Sequence, residues 1–145
     1  MTRFDLPECL NGLCEKDAYR RWLARKAQAH VKRDRKRFGT DSCTVSRYKA
    51  MIHEAVCCGG DRDYYTGLPL DWSLISKFDN DAAKQHRSNY LRTFGNLPTL
   101  DHTRNCEGQI RFVFCSWRVN DAKNHLSEDE FHELCEQVLA HKRKR

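Results

Sequence analysis

Apolar side chains recur at helical spacing over residues 16–38, near the beginning of the chain. The stripe consists of Tyr19, Trp22, Leu23, Ala27 and Val31. Residues three and four apart lie on the same face of a helix, so this pattern predicts a helix that packs on a core along that face. Gly39 ends the pattern, because glycine readily adopts the left-handed conformation of a C-terminal helix cap.

A second apolar stripe predicts another helix over residues 44–57. Its members are Val45, Tyr48, Ile52, Ala55 and Val56. Gly59 and Gly60 then interrupt the pattern. The segment YYTGLPLDW, residues 64–72, indicates a turn, since it contains the turn formers Gly67 and Pro69. The polar stretch that follows predicts one short helix near 81–93.

Two short strands and a final helix are predicted in the last third of the chain. The strands cover 97–103 and 109–117, and the second is rich in β-branched and aromatic residues. Ser127 and Glu130 form a capping box at the start of the final helix, with Leu126 placed for a hydrophobic staple. The expected buried stripe of this helix consists of Phe131, Leu134, Cys135, Val138 and Leu139.

These elements predict one mostly helical α+β domain over residues 1–145. Hydrophobic residues form 39% and charged residues 32% of the sequence, which is typical of a globular rather than a disordered protein. No segment approaches the roughly 18 apolar residues of a membrane span, and the first ten residues lack the apolar core of a secretory signal. The sequence therefore predicts an intracellular protein with no membrane partner.

The eight cysteines are expected to be buried or unreactive thiols. A reducing compartment disfavours disulfides, and no pair of cysteines has the C-x₂-C spacing of a zinc knuckle. Structural Zn²⁺ held by pairs such as Cys9 and Cys14 is the less favoured alternative.

Positive charge is concentrated in the first quarter of the chain. The whole net charge of +6 arises in residues 1–38, which hold 11 Lys and Arg against 5 Asp and Glu. In the first predicted helix, nine basic residues between Arg20 and Arg37 are opposed by Asp34 alone. Such clustering is typical of proteins that bind nucleic-acid phosphates, although a solvated helix face has the same pattern. We therefore interpret residues 1–60 as a basic helical DNA-binding region.

Carboxylate, imidazole and amide side chains accompany the two predicted strands. Asp101 and His102 lie on the first strand, and Asn120 and Asn124 follow the second, spaced to share one face of a helix. A neutral imidazole acts as a general base near neutral pH, and carboxylate and amide oxygens are ligands that Mg²⁺ prefers. Hydrolysis of a phosphodiester needs both functions. Adjacent strand residues point to opposite sides, so Asp101 and His102 converge only if the strand ends or bends there.

The runs LDHTR (100–104) and RFVFCSWRVNDAKN (111–124) resemble the ββα-metal motif of HNH endonucleases. The style is closest to the phage junction-resolving members, and YTGLPLDW upstream is similar to a segment that precedes the motif in many such proteins. The resemblance covers residues 64–124. It implies a ββα-metal hairpin at about 97–125, packed with an N-terminal helical region and a C-terminal helix, so that residues 61–145 form a nuclease region.

By this resemblance, His102 is the general base, and Asp101 and Asn120 are catalytic residues that hold one Mg²⁺ or Mn²⁺ ion, with Asn124 as a further candidate ligand. The middle Asn of the motif is missing, so the residue that orients the His102 ring stays open. The expected DNA-binding residues are Arg20, Arg21, Arg25, Lys26, Lys32, Arg33, Lys36, Arg37, Arg104, Arg111 and Lys123.

The sequence thus predicts a metal-dependent DNA endonuclease and leaves two alternatives open. One is a non-catalytic nucleic-acid-binding module that keeps the hairpin only as structure. The other is an RNA-cleaving nuclease of the same fold. A homodimer would allow both strands of a duplex to be cut, but no sequence feature decides the oligomeric state.

Overall fold

The computed structural model describes residues 4–39, 44–104 and 109–144, and of residues 38, 103 and 104 it describes only the backbone. Six α-helices and a two-stranded antiparallel sheet form within these ranges. The fold is therefore α+β and mostly helical, as the sequence predicts. None of the helices in the described ranges has both the length and the apolar surface that crossing a membrane requires.

The first helix, α1, spans Lys16–Phe38 and confirms the prediction from the apolar stripe. All five residues of that stripe are buried in the core. Gly39 caps the helix with φ at 59°, and its N–H donates to the carbonyl oxygen of Arg35. Local sequence and tertiary packing therefore agree along this helix.

The second helix, α2, spans Val45–Gly59, close to the predicted 44–57. The side chain of Thr44 caps its beginning by accepting a hydrogen bond from the N–H of Arg47. Tyr48, Ile52 and Val56 are buried in the same core as the α1 stripe. The two helices pack on each other along these stripes, which is how each removes its apolar face from water.

The polar stretch forms two short helices rather than the single helix predicted near 81–93. They are α3, Asn80–Gln85, and α4, Arg87–Thr93. His86 separates them with φ −126° and ψ 43°, which lies outside the helical region. Asp79 caps α3 through hydrogen bonds from two backbone N–H groups. A 3₁₀ helix at Trp72–Ser76 precedes both.

The sheet consists of β1, Pro98–Arg104, and β2, Ile110–Ser116, each within one residue of its predicted bounds. Phe114 lies opposite Leu100, and Phe112 lies opposite His102. An isolated hairpin is only marginally stable in water. Here the face that carries these residues packs on the helices: the Phe114 ring lies 5.9 Å from Trp22 and 6.0 Å from Trp72, between ring centroids.

A tight turn at Asp63–Gly67 ties the region before the sheet to the end of β2. One carboxylate oxygen of Asp63 accepts hydrogen bonds from the N–H groups of Tyr65 and Thr66, and the other accepts one of 2.7 Å from the N–H of Ser116. Gly67 has φ at 69°, which confirms the predicted turn residue. This buried carboxylate holds Tyr65 beside the sheet.

Two helices complete the chain. α5 spans Trp117–Lys123 and is capped by the side chain of Ser116. α6 spans Glu128–Lys142, and the predicted capping box of Ser127 and Glu130 is present.

The predicted buried stripe of α6 is wrong, because the helix projects from the body of the fold. Leu134, Val138 and Leu139 are 45%, 61% and 50% exposed. The beginning of the helix touches the rest of the described chain: the Tyr64 hydroxyl donates to Glu128, and the Tyr65 ring contacts Phe131 and His132. Helical periodicity shows that a face is apolar but not what covers it.

Leu23→Ala should lower the free energy of unfolding by about 2–5 kcal/mol, because Leu23 is fully buried and the substitution leaves a cavity. Chemical denaturation measures this loss. Leu68→Ala is the matched control, since Leu68 is 61% exposed. Its change should stay within about 0.5 kcal/mol. Equal losses for the two variants would contradict the packing described for α1.

Candidate functional site

Asp101 and His102 lie on opposite faces of β1. The strand neither ends nor bends at these residues: Asp101 pairs with Val113, His102 pairs with Phe112, and pairing continues to Arg104. Side chains of successive strand residues alternate between the two faces. The sequence required a bend for the two catalytic candidates to converge, and the structure does not bring them together.

His102 faces the helices, where Asp34 of α1 lies beside its ring. The Nδ1 atom of His102 is 3.5 Å from the nearer carboxylate oxygen of Asp34. The other oxygen of Asp34 accepts a 2.5 Å hydrogen bond from the Tyr48 hydroxyl. The imidazole stacks on Phe112, with 5.1 Å between centroids, and its side chain is only 13% exposed. The cluster is thus a buried carboxylate that links a tyrosine of α2 to the imidazole of β1.

Sequence reasoning treated Asp34 only as a lone acid in a basic run. A signal for its role was present, because Asp34 lies three residues after Val31 and seven after Ala27, on the buried stripe of α1. An ionised side chain placed on the apolar face of a helix requires a buried partner. That partner, His102, is distant in sequence, so only the tertiary structure identifies it.

His30 lies at the edge of this cluster, beside His102. Its ring makes an edge-to-face contact with His102, at 5.8 Å between centroids. Burial, followed by the nearby positive charge of Arg33 and Lys26, lowers the pKa of His30 to about 3. Its Nδ1 atom is buried without a hydrogen-bond partner in the described part of the chain. His30 is therefore neutral at physiological pH.

Asp101 lies on the other face of β1, in a second buried cluster. The hydroxyl of Tyr65 donates to one oxygen of Asp101, and the Lys123 ammonium lies 3.1 Å from the same oxygen. Burial and the bond to Asp101 both raise the pKa of Tyr65, so its hydroxyl keeps its proton. Lys123 also donates a 2.6 Å hydrogen bond to the carbonyl of Leu126 and is 5% exposed. Instead of the expected phosphate contact, Lys123 supplies the counter-charge of Asp101.

The two asparagines predicted to share a helix face are one turn apart, since the N–H of Asn124 donates to the carbonyl of Asn120, but their side chains differ in exposure. Asn120 is half-buried on α5, whereas Asn124 follows the helix as its C-terminal cap, with φ at 51°, and is exposed. Asn120 lines a cavity of about 400 Å³ together with Thr99 and Lys26. Lys123, three residues after Asn120 on α5, reaches Asp101, so the helix that carries Asn120 lies on the Asp101 side of β1.

The side chains of Asp101 and Asn120 offer oxygen donors that suit a hard ion such as Mg²⁺. Their donor chemistry fits the ion, but the Lys123 ammonium already neutralises Asp101, so a metal ion competes with it for the carboxylate. Among the described residues, no three or more His, Cys, Asp or Glu side chains are grouped as a metal site would require. The six cysteines in the described ranges are free thiols.

The expected DNA-binding residues of α1 divide into two groups. Arg20 is paired with Asp5, and the Lys26 ammonium donates to Thr99 inside the cavity, where burial lowers its pKa to about 8. The remaining six are exposed, and none of the ion pairs in the described ranges involves them: Arg21, Arg25, Lys32, Arg33, Lys36 and Arg37.

Besides Lys123, two expected DNA contacts lie outside α1, Arg111 and Arg104. The guanidinium of Arg111, on β2, sits over the ring of Tyr64 at 5.3 Å. The side chain of Arg104 lies outside the described residues.

Comparison of the chain with protein-family models, with curated proteins and with solved structures gave no match.

His30→Phe should reduce the acid sensitivity of the fold. The pKa of His30 is about 3 in the folded chain and about 6.5 when unfolded, so between these values the unfolded chain binds more protons. Stability is therefore full above pH 6.5 and falls as the pH is lowered, by up to about 2 kcal/mol from pH 7 to 5 for this group.

Denaturant unfolding at pH 7 and at pH 5 tests this expectation. The His30→Phe variant should lose about 2 kcal/mol less than the wild type over this interval. His125→Phe, at an exposed position, should behave like the wild type. An equal loss in the wild type and in His30→Phe would show that His30 is not the buried neutral group described.

Proposed function

We propose that the chain is a metal-dependent endonuclease that holds DNA with α1 and cuts it with His102 as general base. The observation that carries the proposal is the Asp34–His102 pair, because α1 bears both the partner of the imidazole and the exposed cations beside it. Lys32, Arg33 and Lys36 lie within one helical turn of Asp34 along α1.

Asp34 supplies what the missing middle Asn of the motif would supply. A carboxylate beside Nδ1 favours the tautomer that carries its proton there, which leaves Nε2 with the lone pair that a general base needs. The Nδ1–carboxylate distance of 3.5 Å is long for a hydrogen bond. Catalytic hydrogen bonds often shorten only when substrate binds. The Nε2 atom of His102 is buried, so α1 and β1 must part slightly for a water molecule to reach it.

Asp101 and Asn120 would hold the Mg²⁺ or Mn²⁺ ion, which would stabilise the charge that builds up on the phosphate. Because Asp101 and His102 lie on opposite faces of β1, the two can act on one phosphate only if the strand rearranges at these residues when DNA binds. Asn124 is not included, because it is exposed and caps the end of α5. The ion must displace the Lys123 ammonium from Asp101, so we expect weak binding in the absence of DNA.

The second candidate is a nucleic-acid-binding module without catalysis. One observation favours it: Asp101 is fully engaged by Lys123 and Tyr65, while His102 is covered by α1, so both have partners that serve stability. In this case the six exposed cations of α1 bind the backbone, which gives affinity without sequence information.

Supercoiled plasmid should be nicked by the wild type with Mg²⁺ or Mn²⁺ but not with EDTA. His102→Ala should lower the rate by about 100-fold or more, the usual contribution of a general base. Asp34→Asn should lower it less, since the amide still accepts from Tyr48 but cannot stabilise the imidazolium. His125→Ala, at an exposed position, is the control and should cut normally.

Thermal unfolding should show that each variant of this series is folded, and His102→Gln provides a second variant with a polar side chain. A wild type that binds DNA and never cuts it would overturn the nuclease and support the binding module. A parallel digest of duplex DNA and RNA in one tube distinguishes the DNA substrate from the RNA alternative.

Replacing Lys32 and Lys36 by Gln should weaken binding to duplex DNA and reduce its salt dependence. The slope of log K against log salt should decrease by about 0.9 for every phosphate that is no longer neutralised, so the double variant should decrease it by about 2. Fluorescence anisotropy with labelled duplex measures both quantities. The double variant Lys77→Gln, Lys84→Gln removes the same charge from exposed positions outside α1 and should change neither. Equal effects in the two double variants would mean that α1 is not the DNA-binding surface.

A further inference from the structure

The projecting helix α6 carries an apolar stripe that the rest of the described chain leaves uncovered. Phe131, Cys135 and Val138 form its centre at a spacing of four and three residues, and Leu134 and Leu139 flank it. Phe131 is half-buried against Tyr65, and the other four side chains are exposed. A wide stripe of this kind is the face that a helix presents to a partner.

A helix of 15 residues is only marginally stable by its own propensity. Isolated helices shorter than about 12–15 residues are marginal in water, and helices in proteins depend on packing of their apolar face. The capping box stabilises the first turn of α6, but Leu134, Val138 and Leu139 gain nothing from exposure to water. A partner surface is therefore expected to cover the stripe.

We infer that the partner is α6 of a second copy of this chain, packed antiparallel. The charges of the helix indicate this partner. Its first turn is acidic, with Glu128, Asp129 and Glu130, and it ends in a basic segment, Lys142–Lys144. In the described ranges, no ion pair involves the three basic residues of that segment.

Antiparallel packing places the acidic end of each helix against the basic end of the other, and it also opposes the two helix dipoles favourably. Parallel packing would set acid against acid and base against base. The register follows from the stripe: with Cys135 of each copy opposite Val138 of the other, the acidic first turn of each helix lies level with the basic end of the other. The α6 stripe of one copy then contacts the same stripe of the other copy across a two-fold axis, as the interface of a symmetric dimer requires.

The pairing is independent of the proposed nuclease, because no residue of α6 belongs to the candidate site. A single pair of short helices makes a small interface, below about 1,200 Å² in total. The dimer is therefore weak and dissociates on dilution.

Sedimentation velocity of the full chain, from about 1 to 200 µM, covers the range in which an interface of this size associates. The wild type should pass from monomer to dimer. Val138→Glu should raise the dissociation constant by about tenfold or more, since it buries a carboxylate in the seam. Ala140→Glu adds the same charge on the opposite side of the helix and should leave association unchanged. Circular dichroism checks that both variants keep their helix content.

The double variant Arg143→Glu, Lys144→Glu tests the orientation. Antiparallel packing predicts a weaker dimer, because carboxylates would then meet the acidic first turn of the partner. Parallel packing predicts little change, because one like-charge contact replaces another. A wild type that stays monomeric throughout, equal weakening by Val138→Glu and Ala140→Glu, or an unaffected charge-reversal variant would each overturn the inference.

Discussion

The packing of one face of a two-stranded sheet on α1 and α2 determines where each candidate functional side chain lies. A two-stranded sheet is only marginally stable in water by itself, so other elements must cover its apolar face, which carries Phe112 and Phe114. Because strand residues alternate, that choice also sends His102 inward to α1 and Asp101 outward to α5. The positions of both follow from a constraint of stability that involves neither of them directly.

The two buried carboxylates beside the candidate catalytic residues, Asp34 and Asp101, are each compensated on their own side of the sheet. Asp34 has the Tyr48 hydroxyl and the His102 ring, and Asp101 has the Tyr65 hydroxyl and the Lys123 ammonium. Burial of a charge is costly unless it is paired and hydrogen-bonded, so these partners are needed for the fold itself. Any chemistry at these residues therefore requires that some of these bonds be exchanged for bonds to substrate or metal ion.

Two surfaces within the described ranges carry features that are not balanced by contacts: the positive charge of α1 and the apolar stripe of α6. The six exposed cations of α1 repel one another, and the apolar stripe of α6 remains in contact with water. The two surfaces fit different partners. A polyanion would neutralise the cations of α1, and an apolar helix face would remove the stripe of α6 from water. The two surfaces lie on different helices and share no residue, so neither proposed occupant uses the residues of the other.

The sequence by itself determined the features that depend on neighbouring residues. These include the bounds and buried stripe of α1, its Gly39 cap, the capping box of α6, and the strand pair, all of which follow from periodicity and local hydrogen bonding. Only the tertiary structure decided which distant groups meet. Asp34 reaches His102, Lys123 turns to Asp101, and the stripe of α6 remains open, because packing between elements selects among faces that periodicity alone leaves equivalent.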